Sequence, residues 1–179
     1  MDNLLELLRT RRSIRKFRDT QISPDLVEQL MQAVLMSPSS KRSTPWQFVM
    51  VDDPAMLKSL SICKKAGSQL IEGASLAVVV LADPESSDVW IEDASIATFV
   101  LNLEAEDLGL GSCWVQIRER KSAEGEDSEV VVRRLLDIPE NLRVESIVAI
   151  GVKDEVKKPF DETRMQWEKI HIGTFGRSK

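Results

Sequence analysis

The spacing of apolar positions changes along the chain, and each change marks an element. Leu4, Leu5, Leu7 and Leu8 make an apolar stripe on a short helix, with Asp2 or Asn3 as its cap. Ser23-Pro24-Asp25 opens a second helix with Pro at its first position. Leu26, Val27, Leu30, Val34 and Leu35 then recur at helical spacing, and Ser37-Pro38 ends the run because a residue before Pro leaves the α region. Residues 47–51 read as a strand, and Asp52-Asp53-Pro54 breaks it and starts a helix through about Lys65. Residues 75–82 hold a continuous apolar run, Leu-Ala-Val-Val-Val-Leu, which suits a strand buried on both faces. Residues 88–108 form the longest expected helix. Its apolar positions Ile91, Ala94, Ile96, Ala97, Val100, Leu101 and Leu108 cover much of its surface, so it is central or packed against a second subunit. A short strand is expected over 113–117, a surface loop or helix start over 122–129, a helix over 130–136 and an apolar strand over 145–152. From Lys153 the chain is charged and loses core periodicity.

This order of elements predicts an α+β or α/β sandwich, a small sheet flanked by helices. At 179 residues with 42% apolar residues, the chain is expected to fold as one domain, 1–179, with a real core. No stretch reaches 18 apolar residues, and the N-terminus lacks the layout of a signal peptide, so the expected compartment is the cytoplasm. Cys63 and Cys113 are too few for a disulfide framework, no CxxC occurs, and a single His leaves little for a His-based metal site.

Charge changes the picture at one place. The net charge is −5, which argues against nucleic acid as the main partner. Yet residues 9–18 carry six Lys or Arg. Within them, Arg11-Arg12-Ser13-Ile14-Arg15-Lys16-Phe17 offers planar forks of donors and a neutral hydroxyl, the chemistry of a phosphate clamp. By itself such a run is also what a solvated basic face at a helix end looks like. One helix later comes Ser37-Pro38-Ser39-Ser40-Lys41-Arg42-Ser43-Thr44-Pro45-Trp46, small, polar and bounded by Pro. Its backbone N–H groups are free to face a flat polar ring. The two runs together suggest a nucleotide-like ligand, phosphate at one end and heteroaromatic ring at the other.

The pair resembles the RRS-(I/V)-R-x-F and PS-x-x-N-x-x-PW motifs of the FMN-dependent nitroreductase family, and Gly109-Leu110-Gly111-Ser112-Cys113-Trp114 resembles that family's GLGSCW segment. The resemblance spans Leu4 to about His171. It implies a nitroreductase-like fold with a small mixed sheet, an intertwined homodimer with FMN at the interface, and a tail, 153–179, wrapping the partner. It implies electrons passing from NAD(P)H through FMN to nitroaromatics, quinones or similar acceptors by a ping-pong route, with the chemistry carried by the flavin and no catalytic side chain. A flavin carrier or sensor is the alternative. By the same resemblance Arg11, Arg12, Ser13 and Arg15 meet the FMN phosphate and ribityl chain, and Pro38, Ser39, Ser40, Lys41, Arg42 and Ser43 run beside the ring. Gly111 and Ser112 lie against it, Gln116 contacts it, and Lys158 reaches the phosphate, with Arg164 as competitor. The sequence departs from the family at Arg42, where Asn is usual. Asn both donates and accepts, whereas Arg only donates, which leaves three readings of Arg42: it bonds a flavin carbonyl, it contacts an anionic substrate, or it points away.

Overall fold

The computed structural model describes residues 4–177. Four strands build one sheet: β1 (Trp46–Val51), β2 (Leu76–Ala82), β3 (Gly111–Gln116) and β4 (Arg143–Gly151). Their order across the sheet is β1-β2-β4-β3. Five helices complete the fold: α1 (Leu4–Thr10), α2 (Pro24–Leu35), α3 (Pro54–Ser61), α4 (Trp90–Asp107) and α5 (Ser128–Leu135). The order of elements along the chain is the expected one. The caps expected at Asp2 or Asn3 lie outside the described residues. No helix among the described residues is long and apolar enough to cross a membrane.

Alternation along the strands divides the core in two. Val78 and Val80 of β2 face α2 and α4, where they meet Leu30, Val34, Ala97 and Leu101. Ala77, Val79 and Leu81 face the other way, onto Leu57, Leu60, Ile71 and Val132 of α3, the turn Gln69–Gly73 and α5. Every residue of β2 is therefore buried, as its unbroken apolar run requires. Arg143 locks the start of β4 to α5 through a two-pronged pair with Glu129, at 2.5 and 2.8 Å.

The sheet is not mixed. All three strand pairings are antiparallel, and the parallel bridge among the described residues is the isolated one between Ser13 and Ser112. The mixed sheet is what the family resemblance implies; the long connection through α4 does run β2 and β3 in the same direction. β4 returns between them and pairs antiparallel with both.

α3 stops at Ser61 rather than near Lys65. β3 begins at Gly111 rather than at Cys113. α4 ends in two crossed bonds, Gly109 N–H to Glu106 C=O and Leu110 N–H to Ala105 C=O, at 2.9 and 2.7 Å. Gly109 supplies the left-handed residue this stop needs, at φ +74. The chain passes from it directly into the strand.

α1 buries none of its residues, and Leu4, Leu5 and Leu8 stay exposed. Among the described residues, none beyond Val152 belongs to either core cluster. The tail instead lines up along residues 15–18 through Asp154 N–H to Lys16 C=O and a Phe17–Lys153 bridge. Past it, Trp167, Ile170, Ile172 and Phe175 remain exposed.

Candidate functional site

The basic run is extended and lies across the ends of β3 and β4. Ile14 N–H donates to Ser112 C=O at 2.9 Å, and Arg18 N–H donates to Val152 C=O at 2.9 Å. Two strand glycines make the close approach possible. A Cβ on Gly111 would stand 2.8 Å from Ile14 Cγ2, and one on Gly151 would stand 2.9 Å from the Phe17 ring. Gly111 and Ser112 are thus buried beneath the run and hold it in place. The Ser112 hydroxyl is used further by its bond to Asn102 Oδ1 at 2.8 Å.

An extended segment alternates its side chains. Arg12 and Ile14 open onto a cavity of about 440 Å³ with Glu106, Lys153 and Lys157. Ser13 and Arg15 turn toward Cys113. Burial raises the Cys113 thiol pKa, while Arg15, a hydrogen bond with Ser13, Lys157 and Lys64 all pull it down. Arg15, Lys157 and Lys64 thus bring positive charge to the neighbourhood of Cys113 on β3, with Ser13 beside it. The half-buried side chains of Arg11 and Arg12 have no hydrogen bond or ion pair among the described residues. Such a cation wants an anion.

Lys157, not Lys158, belongs to this cluster. The tail pairs with the run so that Lys153 stands opposite Phe17 and Glu155 accepts from Arg15 N–H at 2.5 Å. Lys157 follows on the same side, and Lys158 is exposed. That parity is the signal that finds it. Arg164 is exposed on the turn Glu162–Arg164. Lys64, half-buried, donates to Gln116 C=O at 3.1 Å. No sequence signal singles it out, because it lies past the end of α3, in the turn that follows Ser61. The Gln116 amide is engaged inside the chain: its oxygen accepts from Trp114 Nε1 at 2.9 Å and its nitrogen donates to Glu145 Oε1 at 3.2 Å.

Glu145 is 3% exposed, and its Oε2 has no hydrogen-bond partner among the described residues. Burial raises its pKa above the ordinary 4.5, Gln116 and Arg118 oppose this, and Glu119 and Glu129 add to it. A raised carboxyl favours folding when protonated. That contribution is full below pH 4.5 and is lost as pH rises through the raised value. Glu145→Gln should therefore stabilise the protein at pH 7, with the difference from the natural chain disappearing near pH 4. Urea melts at the two pH values check this, and an equal shift at both would refute it.

The second predicted segment is far from the first. Residues 38–44 precede β1, at the opposite edge of the sheet from β3. Their backbone is strained: Lys41, Arg42 and Thr44 have φ of 52, 57 and 42°. Each such residue costs about 1–2 kcal/mol, and such strain collects at ligand clamps. Asp93, 3% exposed in the first turn of α4, holds the segment by accepting from Ser40 N–H at 2.8 Å, and Ser87 Oγ steadies that carboxylate at 2.9 Å. Ser39 Oγ accepts from Thr44 N–H at 2.9 Å. Ser37 Oγ, Ser43 Oγ and Trp46 Nε1 are buried without a hydrogen-bond partner among the described residues. Pro38 is exposed beside them.

α4 measures the gap. Asp93 holds the segment at one end, and Glu106 holds Lys153 at 2.8 Å at the other. They stand thirteen residues apart on one unbroken helix, about 20 Å along its axis. The structure brings Ser13, Arg15, Gly111, Ser112 and Lys157 together, and Pro38, Ser39, Ser40, Lys41, Arg42 and Ser43 together, but not the two groups with each other.

The nitroreductase family model matches residues 8–63 and 58–152. The chain belongs to the nitroreductase family. It is 38% identical over 176 residues to a candidate NADH dehydrogenase/NAD(P)H nitroreductase of Archaeoglobus fulgidus, covering 96% of this chain and 98% of that one. A protein of the same description from Methanothermobacter thermautotrophicus is 31% identical, over 93% of this chain and 87% of that one. An FMN-dependent nitroreductase from Clostridium difficile has a similar structure, with TM-score 0.94, 40% identity and coverage of 96% of this chain and 100% of that one.

Proposed function

We propose that this nitroreductase-family chain is a cytoplasmic FMN-dependent oxidoreductase that works as a homodimer. It passes electrons from NAD(P)H to nitroaromatic, quinone or similar acceptors by a ping-pong mechanism. The observation that carries the proposal is the separation of two ligand-ready halves by the length of α4. A ligand with its phosphate on the basic run of one chain meets the strained segment only when a second copy supplies it.

The residues present fit FMN. Arg11, Ser13 and Arg15, on a run fixed by the backbone of β3, and Lys157 on the tail beside it are a phosphate donor set: three cations and a hydroxyl. Ser37 Oγ, Ser43 Oγ and Trp46 Nε1, buried and unpaired, gain partners when a ligand or a second subunit covers them. FMN, when bound, supplies the chemistry, accepting two electrons from reduced nicotinamide and passing them to an acceptor. The chain's own residues do the rest. The run anchors one end, Asp93 holds the strained segment rigid, and Lys64 sets a positive charge beside β3, where negative charge on a reduced ring is stabilised.

Dimerisation also accounts for the apolar surface. Leu4, Leu5 and Leu8 of α1, Ile96 and Phe99 of α4, and Trp167, Ile170, Ile172 and Phe175 of the tail are all exposed in the single chain. So much apolar surface is a contact surface, and the tail from Lys153, adding nothing to its own core, wraps the partner.

Anaerobic mixing of the FMN-loaded protein with NADH, and separately with NADPH, tests the proposal. Absorbance at about 450 nm should bleach quickly with at least one donor and return on adding a quinone or nitroaromatic. Bound FMN that neither donor bleaches would make the protein a carrier or sensor instead.

A further inference from the structure

Lys41 and Arg42 are the two cations of a segment, residues 39–44, that holds no acidic side chain. Lys41 meets Asp88 only at 3.8 Å, with both side chains at least 80% exposed, a geometry that binds neither group firmly. The Arg42 side chain has no hydrogen bond or ion pair among the described residues and is exposed. Both residues sit in the left-handed region, where a long side chain is disfavoured and Asn is tolerated far better. The fold nonetheless fixes them there, through Asp93 to Ser40 and Ser39 to Thr44. Two exposed cations, Lys41 only loosely paired and Arg42 unpaired among the described residues, are thus displayed from a held backbone on an acidic protein, at the mouth of the site proposed above. The cofactor's phosphate is already matched by the run near β3, about 20 Å away on the same chain. Apart from the flavin ring itself, which carries no full charge when oxidised, what remains for Lys41 and Arg42 is a ligand that comes and goes.

We propose that Lys41 and Arg42 are a specificity determinant that selects substrates carrying an oxyanion. The proposal rests on the two-subunit flavin site. The shared chemistry is a phosphate, carboxylate or sulfonate, and it has two possible sources: the extra phosphate of NADPH, or an acidic group on the electron acceptor. Arg suits either, since its fork binds planar oxyanions in two-pronged fashion.

The test uses the FMN-loaded full chain and two variants, Arg42→Asn and the double variant Lys41→Ala with Arg42→Asn. Asn eases the backbone strain at position 42 and Ala leaves that at 41 unchanged, so unfolding does not explain a loss. The readouts are two ratios of kcat/KM: NADPH over NADH, and 1,4-naphthoquinone-2-sulfonate over neutral menadione. Titration calorimetry with NADP+ and NAD+ reads the donor contrast without turnover. At least one ratio should fall about tenfold in the double variant, through KM, and lose its salt dependence. A fall in the first ratio assigns the determinant to the donor, and a fall in the second to the acceptor. Flat ratios with normal turnover would overturn the selector and leave the flavin site standing. A protein that turns over none of the four substrates would overturn both.

Discussion

Arg11→Ala is expected to weaken FMN binding by about 10–100-fold. Its guanidinium is half-buried and makes no ion pair among the described residues, so in the absence of ligand it carries part of the desolvation cost of a charge. A charge-assisted hydrogen bond to phosphate is worth about 1.5–3 kcal/mol, and Arg offers two such donors in one plane. Arg11→Lys should recover part of the loss, since an ammonium restores charge but not the fork. Quenching of FMN fluorescence on titration into the apo-protein measures the constant. Riboflavin is the control, because it has the ring and lacks the phosphate. Its affinity should hardly change. An equal loss for both ligands would mean that Arg11 shapes the site rather than binding phosphate.

The second large effect is expected at Gly111. A Cβ there would lie 2.8 and 2.9 Å from Ile14 and 3.0 Å from Lys153 Cγ. Ile14 cannot retreat easily, because it is 3% exposed and its N–H is bonded to Ser112. Gly111→Ala should cost about 1–3 kcal/mol of stability, a fall of several degrees in Tm for a chain of this size. It should also weaken FMN binding, because Ser13 and Arg15 ride on the displaced run. Gly73→Ala is the matched control: nothing lies within 4 Å of its Cβ position and its φ is not positive. Thermal melts of the two variants should differ clearly. Similar melts would show that the run yields without cost.

Much of this was legible along the chain. The apolar run of 75–82 suited a doubly buried strand, and the largely apolar helix after it suited a central position. The Arg11 to Phe17 run declared itself by charge, and the Pro38 to Ser43 segment by its small polar residues. What could not be read depends on contacts between distant residues. The insertion of β4 between β2 and β3 leaves no local trace, so nothing along the chain opposed the mixed sheet that the family resemblance implies. Gly111 looked like part of a helix stop because Gly109 is one, and only the proximity of Ile14 explains the second glycine. Lys157 and Lys158 differ by one position, and the register of the tail against the run separates them. Asp93 and Glu145 are acidic residues among many until burial singles them out. The gap of about 20 Å between the two predicted halves follows from the length of α4, yet it becomes visible only when Asp93 and Glu106 are known to hold opposite halves.

That gap is the centre of the account, and subunit complementation tests it directly. One variant carries Arg11→Ala and Arg15→Ala, which disable the run. The other carries Asp93→Ala, which releases the strained segment. Each homodimer should bind FMN poorly. When the two are unfolded together and reassembled at equal concentrations, half the dimers are mixed, and each mixed dimer regains one intact site from the undamaged run of one chain and the undamaged segment of the other. FMN capacity should return to about a quarter of the natural protein's. No recovery in verified mixed dimers would contradict the account, because it would place both halves of the site in the same chain.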